Sequence, residues 1–235
     1  MSVIAQSAQQ ALALVLNLDA SLLRIVGLSL LVSGSACLLA SGLGLALGAW
    51  LAVGRWPGLR VLALLTNTLL ALPSVVVGLC VYLLLSRSGP LGSLGLLFSP
   101  SAMVLAQAIL VVPVIAALSR QQLQDALAEG GEQLRSLGAG PMLKAALLLW
   151  HGRRAVLLIL LTAFGRAISE VGAVMIVGGN IEGFTRVMTT SIALETSKGD
   201  LPLALALGLV LLAVVGLLNL MSALLRRKEQ GMSAA

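Results

Sequence analysis

Charged and aromatic residues are scarce in this sequence. They make up 10% and 3% of its 235 residues, whereas 59% are hydrophobic. The hydrophobic residues form runs too long for the core helices of a soluble domain, and they lack the alternation of a membrane β-barrel. A bilayer core about 30 Å thick is crossed by roughly 20 apolar helical residues, whose backbone groups bond one another. The sequence therefore predicts an all-α integral membrane protein.

Residues suited to catalysis or metal binding are also few. The chain has one histidine, His151, and two cysteines, Cys37 and Cys80, which lie inside apolar runs. A single His without a Cys-x-x-Cys motif makes a metal site or a Ser-His hydrolase hard to assemble. No GxxxxGK(S/T) phosphate loop is present, so we expect the chain to bind no cofactor and to hydrolyse no ATP itself. The competing interpretation is an intramembrane enzyme using Ser169 and Glu170, which lack a partner base.

Five membrane spans are predicted, at about 22–53, 61–86, 101–119, 155–177 and 201–225. Before them, residues 1–20 place apolar side chains at helical spacing opposite Gln6, Gln9 and Gln10, which favours an interfacial helix over a cleaved signal peptide. The transmembrane domain then covers 21–228, and a short tail covers 229–235.

Basic residues predict the orientation of these spans. They give a net charge of +6, but few aromatics accompany them, so topology explains them better than nucleic-acid binding. Most lie in the first and third links and at the C-terminus: Arg55, Arg60, Arg120, Arg135, Lys144, Arg153, Arg154, Arg226, Arg227 and Lys228. The opposite side has Arg24, Arg87, Arg186 and Lys198. By the positive-inside rule, the N-terminus is outside and the C-terminus is inside.

Small residues and prolines interrupt the spans. Gly44 and Gly48 share one face of the first span, which is typical of ordinary close helix packing. Pro73 in the second span and Pro113 in the third each remove a backbone donor, and we expect a helix bend at both. Bent helices are common around a transport path, but prolines are also frequent in membrane helices generally.

The third link, 120–154, is long beside the other cytoplasmic link. Its glycines and proline predict two short helices, one ending near Gly130 and Gly131 and another broken at 138–141. A surface helix held between two membrane spans is suited to transmitting force from a soluble partner.

Within this link, EQLRSLGAGP at 132–141 resembles the cytoplasmic-loop signature of bacterial ABC-importer permeases, Glu-Ala-Ala, three residues, Gly and later Ile-x-Leu-Pro. Glu132 and Gly138 match the Glu and the Gly, whereas other residues replace the two alanines and Ile-x-Leu-Pro. The resemblance implies a coupling helix seated in a groove of a separate ATPase subunit. The residues assigned to this coupling region are Glu132, Leu134, Leu137, Gly138 and Ala139.

Two further stretches, 71–100 and 169–208, resemble the oxyanion branch of these permeases. They read ALPSVVVGLCVYLLLSRSGPLGSLGLLFSP and SEVGAVMIVGGNIEGFTRVMTTSIALETSKGDLPLALALG. Among molybdate, sulfate and tungstate types, the combination of VMTTSIALETSKGD with ISEVGAVMIVGGNI is most similar to tungstate permeases. The resemblance implies a type I ABC-importer permease fold and a homodimer with the translocation path on its two-fold axis. It also implies an external oxyanion-binding protein and a pair of ATPase subunits that use ATP and Mg²⁺.

Arg166 and Glu170 place opposite charges in the middle of the fourth predicted span. Four residues apart on one helix, they lie on one face about 6 Å apart along the axis and are expected to pair. A charge at the bilayer centre costs about 2.5–3.5 kcal/mol, so the pair should face protein or an aqueous path. Two interpretations stay open: an internal ion pair that fixes helix packing, and a pair that lines the path near its gate.

The residues after this span are rich in glycine and hydroxyl groups. Apolar positions among Thr189, Thr190 and Ser191 fit an external helix or re-entrant segment over the path, with an ordinary surface loop as the alternative. Backbone amides and hydroxyls suit transient contact with an oxyanion. The residues assigned to the path or gate are Arg166, Glu170, Gly172, Thr189 and Thr190.

The resemblance thus implies the permease subunit of an ATP-driven tungstate importer in a bacterial cytoplasmic membrane. A molybdate or sulfate permease of the same type is the nearer alternative, because the binding protein usually makes the fine selection. A channel or membrane enzyme that needs no ATPase is the more distant one.

Overall fold

The computed structural model describes residues 3–17, 19–54 and 56–233, which form helices joined by short connections, with no strand in these ranges. The predicted cytoplasmic residue Arg55 and residues 1–2, 18 and 234–235 of the predicted terminal segments lie outside the described residues. In chain order the helices are α1 (Val3–Leu16), α2 (Ala20–Val53), α3 (Leu59–Leu69), α4 (Ser74–Leu85), a 3₁₀ helix (Gly92–Leu94), α5 (Pro100–Ser136), α6 (Pro141–His151), α7 (Arg153–Ile168), α8 (Gly172–Gly178), α9 (Met188–Lys198) and α10 (Leu201–Ser233).

The prediction of an all-α membrane fold is confirmed. Helices α2, α5 and α10 are each long and apolar enough to cross a membrane, and the total reaches 5 when two bent helix pairs count as one span each. Helices α3 and α4 meet at an angle of 102°, and α6 and α7 meet at 79°. The helix bend predicted at Pro73 in the second span is confirmed, because the backbone leaves the helical conformation at 70–73. The continuous helix predicted over 155–177 is wrong, because the backbone leaves the helical conformation at 169–171.

Helices α2 and α5 pack closely side by side. A Cβ atom at Gly44 would lie 2.7 Å from the Cβ of Ile115, and one at Gly48 would lie 2.6 Å from the backbone oxygen of Ala116. Only glycine permits backbones to approach this closely, which confirms the interpretation of Gly44 and Gly48 as packing residues. Apolar side chains from α7 complete this part of the core.

Helix α5 continues far beyond the predicted span, from Pro100 to Ser136. It passes through the buried Pro113 as one helix, and the predicted break near Gly130 and Gly131 is wrong. A helical glycine costs only about 1 kcal/mol relative to alanine, and the flanking stretch DALAEGGEQL supplies strong helix formers on both sides. The second predicted break, at 138–141, is present between α5 and α6.

The two terminal helices pack against each other. Ala11 of α1 is buried in one cluster with Ala206 and Leu207 of α10. Asp19 begins α2 by accepting hydrogen bonds from the Ser21 hydroxyl and from the backbone N–H groups of Ser21 and Leu22. These bonds lower the pKa of Asp19, and the Ser21 hydroxyl contributes most. At the other end, α10 continues to Ser233, so the predicted tail begins as helix.

Candidate functional site: two interrupted spans that meet inside the bundle

The second and fourth spans meet at their interruptions. Helix α4 begins at Ser74, immediately after Pro73, and α8 begins at Gly172. A Cβ atom at Gly172 would lie 2.9 Å from the hydroxyl oxygen of Ser74. Further along, a Cβ atom at Gly78 would lie 2.7 Å from the Cα of Ala173. Because neither glycine carries a side chain, α4 and α8 run in contact from a shared starting level.

This level lies deep in the membrane. Gln107 of α5 donates a hydrogen bond from Nε2 to the carbonyl oxygen of Ala167 at 2.8 Å, and the same nitrogen lies 3.4 Å from the hydroxyl of Ser33 in α2. Ser33 is roughly 20 Å along α2 at 1.5 Å per residue, near the middle of a bilayer about 40 Å thick. Non-helical backbone at this depth requires surrounding protein or a water-filled cavity.

The predicted ion pair between Arg166 and Glu170 is not formed. Helix α7 ends at Ile168, so the two residues do not share a helical face, and no ion pair joins them in this described segment. Instead, a carboxylate oxygen of Glu170 accepts a hydrogen bond from the backbone N–H of Ala173 at 3.4 Å. A carboxylate at a helix start satisfies a free N–H and opposes the helix dipole, which is why capping competes with pairing here.

Arg166 is exposed on the last turn of α7. A cation at this depth that faced lipid would cost about 2.5–3.5 kcal/mol on insertion scales. The exposed surface around it therefore suits a protein interface or an aqueous path. Arg166 supplies a full positive charge a few residues before the start of α8, whose N-terminus the Glu170 carboxylate caps.

Thr189 and Thr190 lie in the first turn of α9, and both are buried. The Thr189 hydroxyl donates to the carbonyl oxygen of Glu170 at 2.7 Å, and the Thr190 hydroxyl donates to Oδ1 of Asn180 at 2.9 Å. Both hydroxyls thus have protein partners in this state, which argues against a direct contact with an oxyanion. The segment is a packed helix rather than the alternative of an ordinary surface loop.

The loop between α8 and α9 is held by further internal bonds. The buried hydroxyl of Thr185 donates to the carbonyl oxygen of Gly178 at 2.6 Å and accepts from the backbone N–H of Ile181 at 2.9 Å. The backbone N–H of Met188 donates to the hydroxyl of Ser29 in α2 at 2.8 Å. These bonds tie the loop and α9 to the rest of the bundle.

Charged side chains at the far end of α9 form a small network. Glu195 is only 5% exposed, and its carboxylate lies 3.2 Å from the ammonium of Lys198 and 3.9 Å from the guanidinium of Arg186. Arg186 also lies 3.4 Å from the carboxylate of Glu182. The buried carboxylate is therefore compensated by two cations, as a charge removed from water requires.

The residues assigned to the coupling region lie at the end of α5 and in the turn before α6. Gly138 has a φ of +76°, its N–H donates to the carbonyl of Arg135, and the N–H of Ala139 donates to the carbonyl of Leu134. This pair of bonds is a Schellman motif, whose left-handed residue is normally glycine. Leu137 is 81% exposed at the tip of this turn. With Glu132, it presents an apolar and an acidic side chain on an exposed surface.

Sequence reasoning passed over Gln107. Its signal is an amide side chain in the otherwise apolar stretch 102–118. Polar side chains inside membrane helices face the protein interior and bond backbone or side-chain groups there. Gln107 does so by bonding the end of α7.

Comparison with known proteins finds relatives along nearly the whole chain. The chain is 41% identical over 219 residues to the tungstate uptake system permease protein TupB of Peptoclostridium acidaminophilum, and the match covers 93% of this chain and 96% of that protein. It is 38% identical over 219 residues to the protein of the same name from Campylobacter jejuni, covering 93% and 92%. It is 40% identical over 215 residues to a probable anion ABC transporter permease protein of Haloferax volcanii, covering 89% and 93%. No family model matches the chain. With relatives this similar over this much of its length, the chain belongs to the family of anion ABC transporter permease proteins.

Proposed function

We propose that this chain is the membrane permease subunit of an ATP-driven importer of tungstate. The observation that carries the proposal is the identity of 41%, over 93% of the chain, with a permease protein of a tungstate uptake system. The multi-pass helical fold supports it. So do the two interrupted spans, because α4 and α8 both begin inside the bundle in contact with each other.

We propose that the path forms between two copies of the chain. The described part of a single chain offers up to 5 spans and leaves Arg166 exposed. A two-fold axis beside this surface would remove Arg166 from lipid and bring two arginines towards a dianion such as tungstate. The nearby Glu170 carboxylate would moderate their affinity so that the anion is released. Gly172 would keep the gate narrow by letting α8 contact α4.

In this proposal, ATP and Mg²⁺ are used by a separate pair of ATPase subunits, and the permease chain binds no cofactor. The ATPases grip the turn around Leu137 and Gly138, while an external binding protein delivers the anion to the opposite side. Transport then requires that each partner bind one state of the permease better than the other. The membrane is the bacterial cytoplasmic membrane, with the N-terminus outside and the C-terminus inside, as the basic residues indicate.

Reconstitution tests the proposal. The permease, its ATPase and its binding protein are placed in proteoliposomes, and accumulated tungstate, molybdate and sulfate are measured by mass spectrometry with and without ATP. We expect ATP-dependent tungstate uptake that disappears when either partner is omitted. Uptake without the ATPase would support a channel instead. Preferential uptake of molybdate or sulfate would assign the chain to those anions. The name of the Haloferax volcanii relative, which specifies only an anion, is compatible with that outcome.

A further inference from the structure

The interruption between α7 and α8 is held by side chains from two other helices. Gln107 of α5 donates to the carbonyl oxygen of Ala167 at 2.8 Å, and Thr189 of α9 donates to the carbonyl oxygen of Glu170 at 2.7 Å. Gln107 is 3% exposed and Thr189 is 6% exposed. Both act from inside the bundle, whereas Arg166 lies on its exposed surface.

Both carbonyls have lost the partner that a continuous helix would give them. In a continuous helix, Ala167 would accept from the N–H of Val171 and Glu170 from that of Val174. Here the Ala167 carbonyl accepts from the N–H of Glu170 at 3.1 Å, in a tight turn, as well as from Gln107. Backbone carbonyls inside a bundle that lack a partner are unfavourable. Thr189 satisfies the Glu170 carbonyl, and Gln107 gives the Ala167 carbonyl a second bond, so both donors stabilise the interrupted backbone.

The hydrogen bonding of Gln107 is incomplete. Its Oε1 is buried and has no hydrogen-bond partner within the described chain. Buried amides normally use both ends, and an unused acceptor favours any rearrangement that brings a donor to it. The interruption is therefore held by bonds that a second arrangement of the same segment can replace.

We propose that Gln107 and Thr189 are positioning residues for transport, which rests on the proposed function. They hold segment 167–171 in the interrupted conformation and so fix the direction of Arg166 and the capping contact of Glu170. Exchange of these two bonds is the local step by which the interruption rearranges when the ATPase drives the permease between its states. Neither side chain binds the anion itself.

Near-isosteric variants test this role in the reconstituted transporter. Gln107→Leu removes the amide and Thr189→Val removes the hydroxyl, each at similar volume. We expect the number of tungstate ions imported per ATP hydrolysed to fall about fivefold in each, the factor of one lost hydrogen bond. The double variant should lose less than the product of the two factors, because both bonds hold one segment. Thr162→Val is the matched control, since that exposed hydroxyl bonds only the Leu158 carbonyl of its own helix, at 2.9 Å.

A second measurement does not depend on the transported ion. Ser169→Cys is introduced with Cys37→Ala and Cys80→Ser, and the rate of modification by a small thiol reagent is measured in the full complex. We expect modification to be about fivefold faster in the Gln107→Leu and Thr189→Val backgrounds, and unchanged with Thr189→Ser, which keeps the donor. If Thr189→Val and Thr189→Ser are modified at the same rate, the positioning role is overturned, whichever anion the protein carries.

Discussion

The α2–α5 contact and the α7–α8 interruption are neighbours in one bundle, but they are held together by different interactions. At the first, backbones approach through Gly44 and Gly48, and a methyl group at either position would overlap the facing helix. At the second, Gln107 and Thr189 reach across to backbone carbonyls. Close packing admits few alternatives, whereas a hydrogen bond can exchange one partner for another at small net cost. The first contact is suited to a fixed scaffold, and the second to a part that moves.

Replacing Gly48 by alanine disrupts the α2–α5 contact and should have the largest effect of the variants compared. The added Cβ would overlap the hydroxyl of Ser119 and lie 2.6 Å from the Ala116 carbonyl oxygen. We expect the melting temperature of the purified permease to fall by about 10 °C, from roughly 3 kcal/mol of overpacking. Gly42→Ala on the same helix is the control, because nothing lies within 4 Å of its added Cβ. Equal melting temperatures for the two variants would contradict the close contact.

Arg166→Gln tests the α7–α8 interruption. Removing the cation should lower ATP-dependent tungstate uptake about tenfold, which corresponds to roughly 1.4 kcal/mol at the step where the anion passes. Assembly and melting temperature should stay unchanged, because the side chain is exposed and forms no ion pair in the described chain. Arg60→Gln, which removes an exposed cation in the first turn of α3, serves as the control. Normal uptake by Arg166→Gln would remove this residue from the path.

The Glu132→Ala, Leu137→Ala double variant tests whether the ATPase acts on the α2–α5 contact and the α7–α8 interruption through the turn after α5. We expect the binding protein to stimulate ATP hydrolysis about fivefold less, since the two lost contacts together contribute on the order of 1 kcal/mol. Glu129→Ala, an exposed acid earlier on the same helix, is the control. Full stimulation in the Glu132→Ala, Leu137→Ala double variant would place the docking surface elsewhere.

Asp19→Ala changes the start of α2, outside both the α2–α5 contact and the α7–α8 interruption, and should have the smallest effect. Hydrogen bonds from Ser21 and Leu22 lower the pKa of this carboxyl. A group with a lowered folded-state pKa stabilises the fold above its unfolded pKa, and the contribution is lost as the pH falls through its folded pKa. The variant should therefore melt slightly earlier than the wild type at neutral pH, and the two should converge as the pH falls through the lowered folded-state pKa of Asp19. A difference that persists in acid would show that the carboxylate is not the cause.

The apolar features of this molecule were predictable from the sequence, and the polar interruption was predictable only in part. Span positions, the packing glycines and the stop at Gly138 follow from local hydropathy and backbone preference. The end of α7 at Ile168 does not follow from local sequence. The side chain that donates to its last turn belongs to Gln107, 60 residues earlier in the chain. The pairing of Arg166 with Glu170 fails for a related reason. Helical spacing implies contact only while the helix continues.

Helix α5 connects the two halves of the comparison mechanically. It carries Gln107 inside the bundle and Glu132 near its C-terminal end, about 38 Å apart at 1.5 Å per residue. Between them lies the tight contact of Ile115 and Ser119 with Gly44 and Gly48. If that contact acts as a fulcrum, the arm to Glu132 is about 23 Å and the arm to Gln107 about 15 Å. A sideways push of a few ångströms at the coupling turn would then reach the interruption reversed in direction and reduced by about a third.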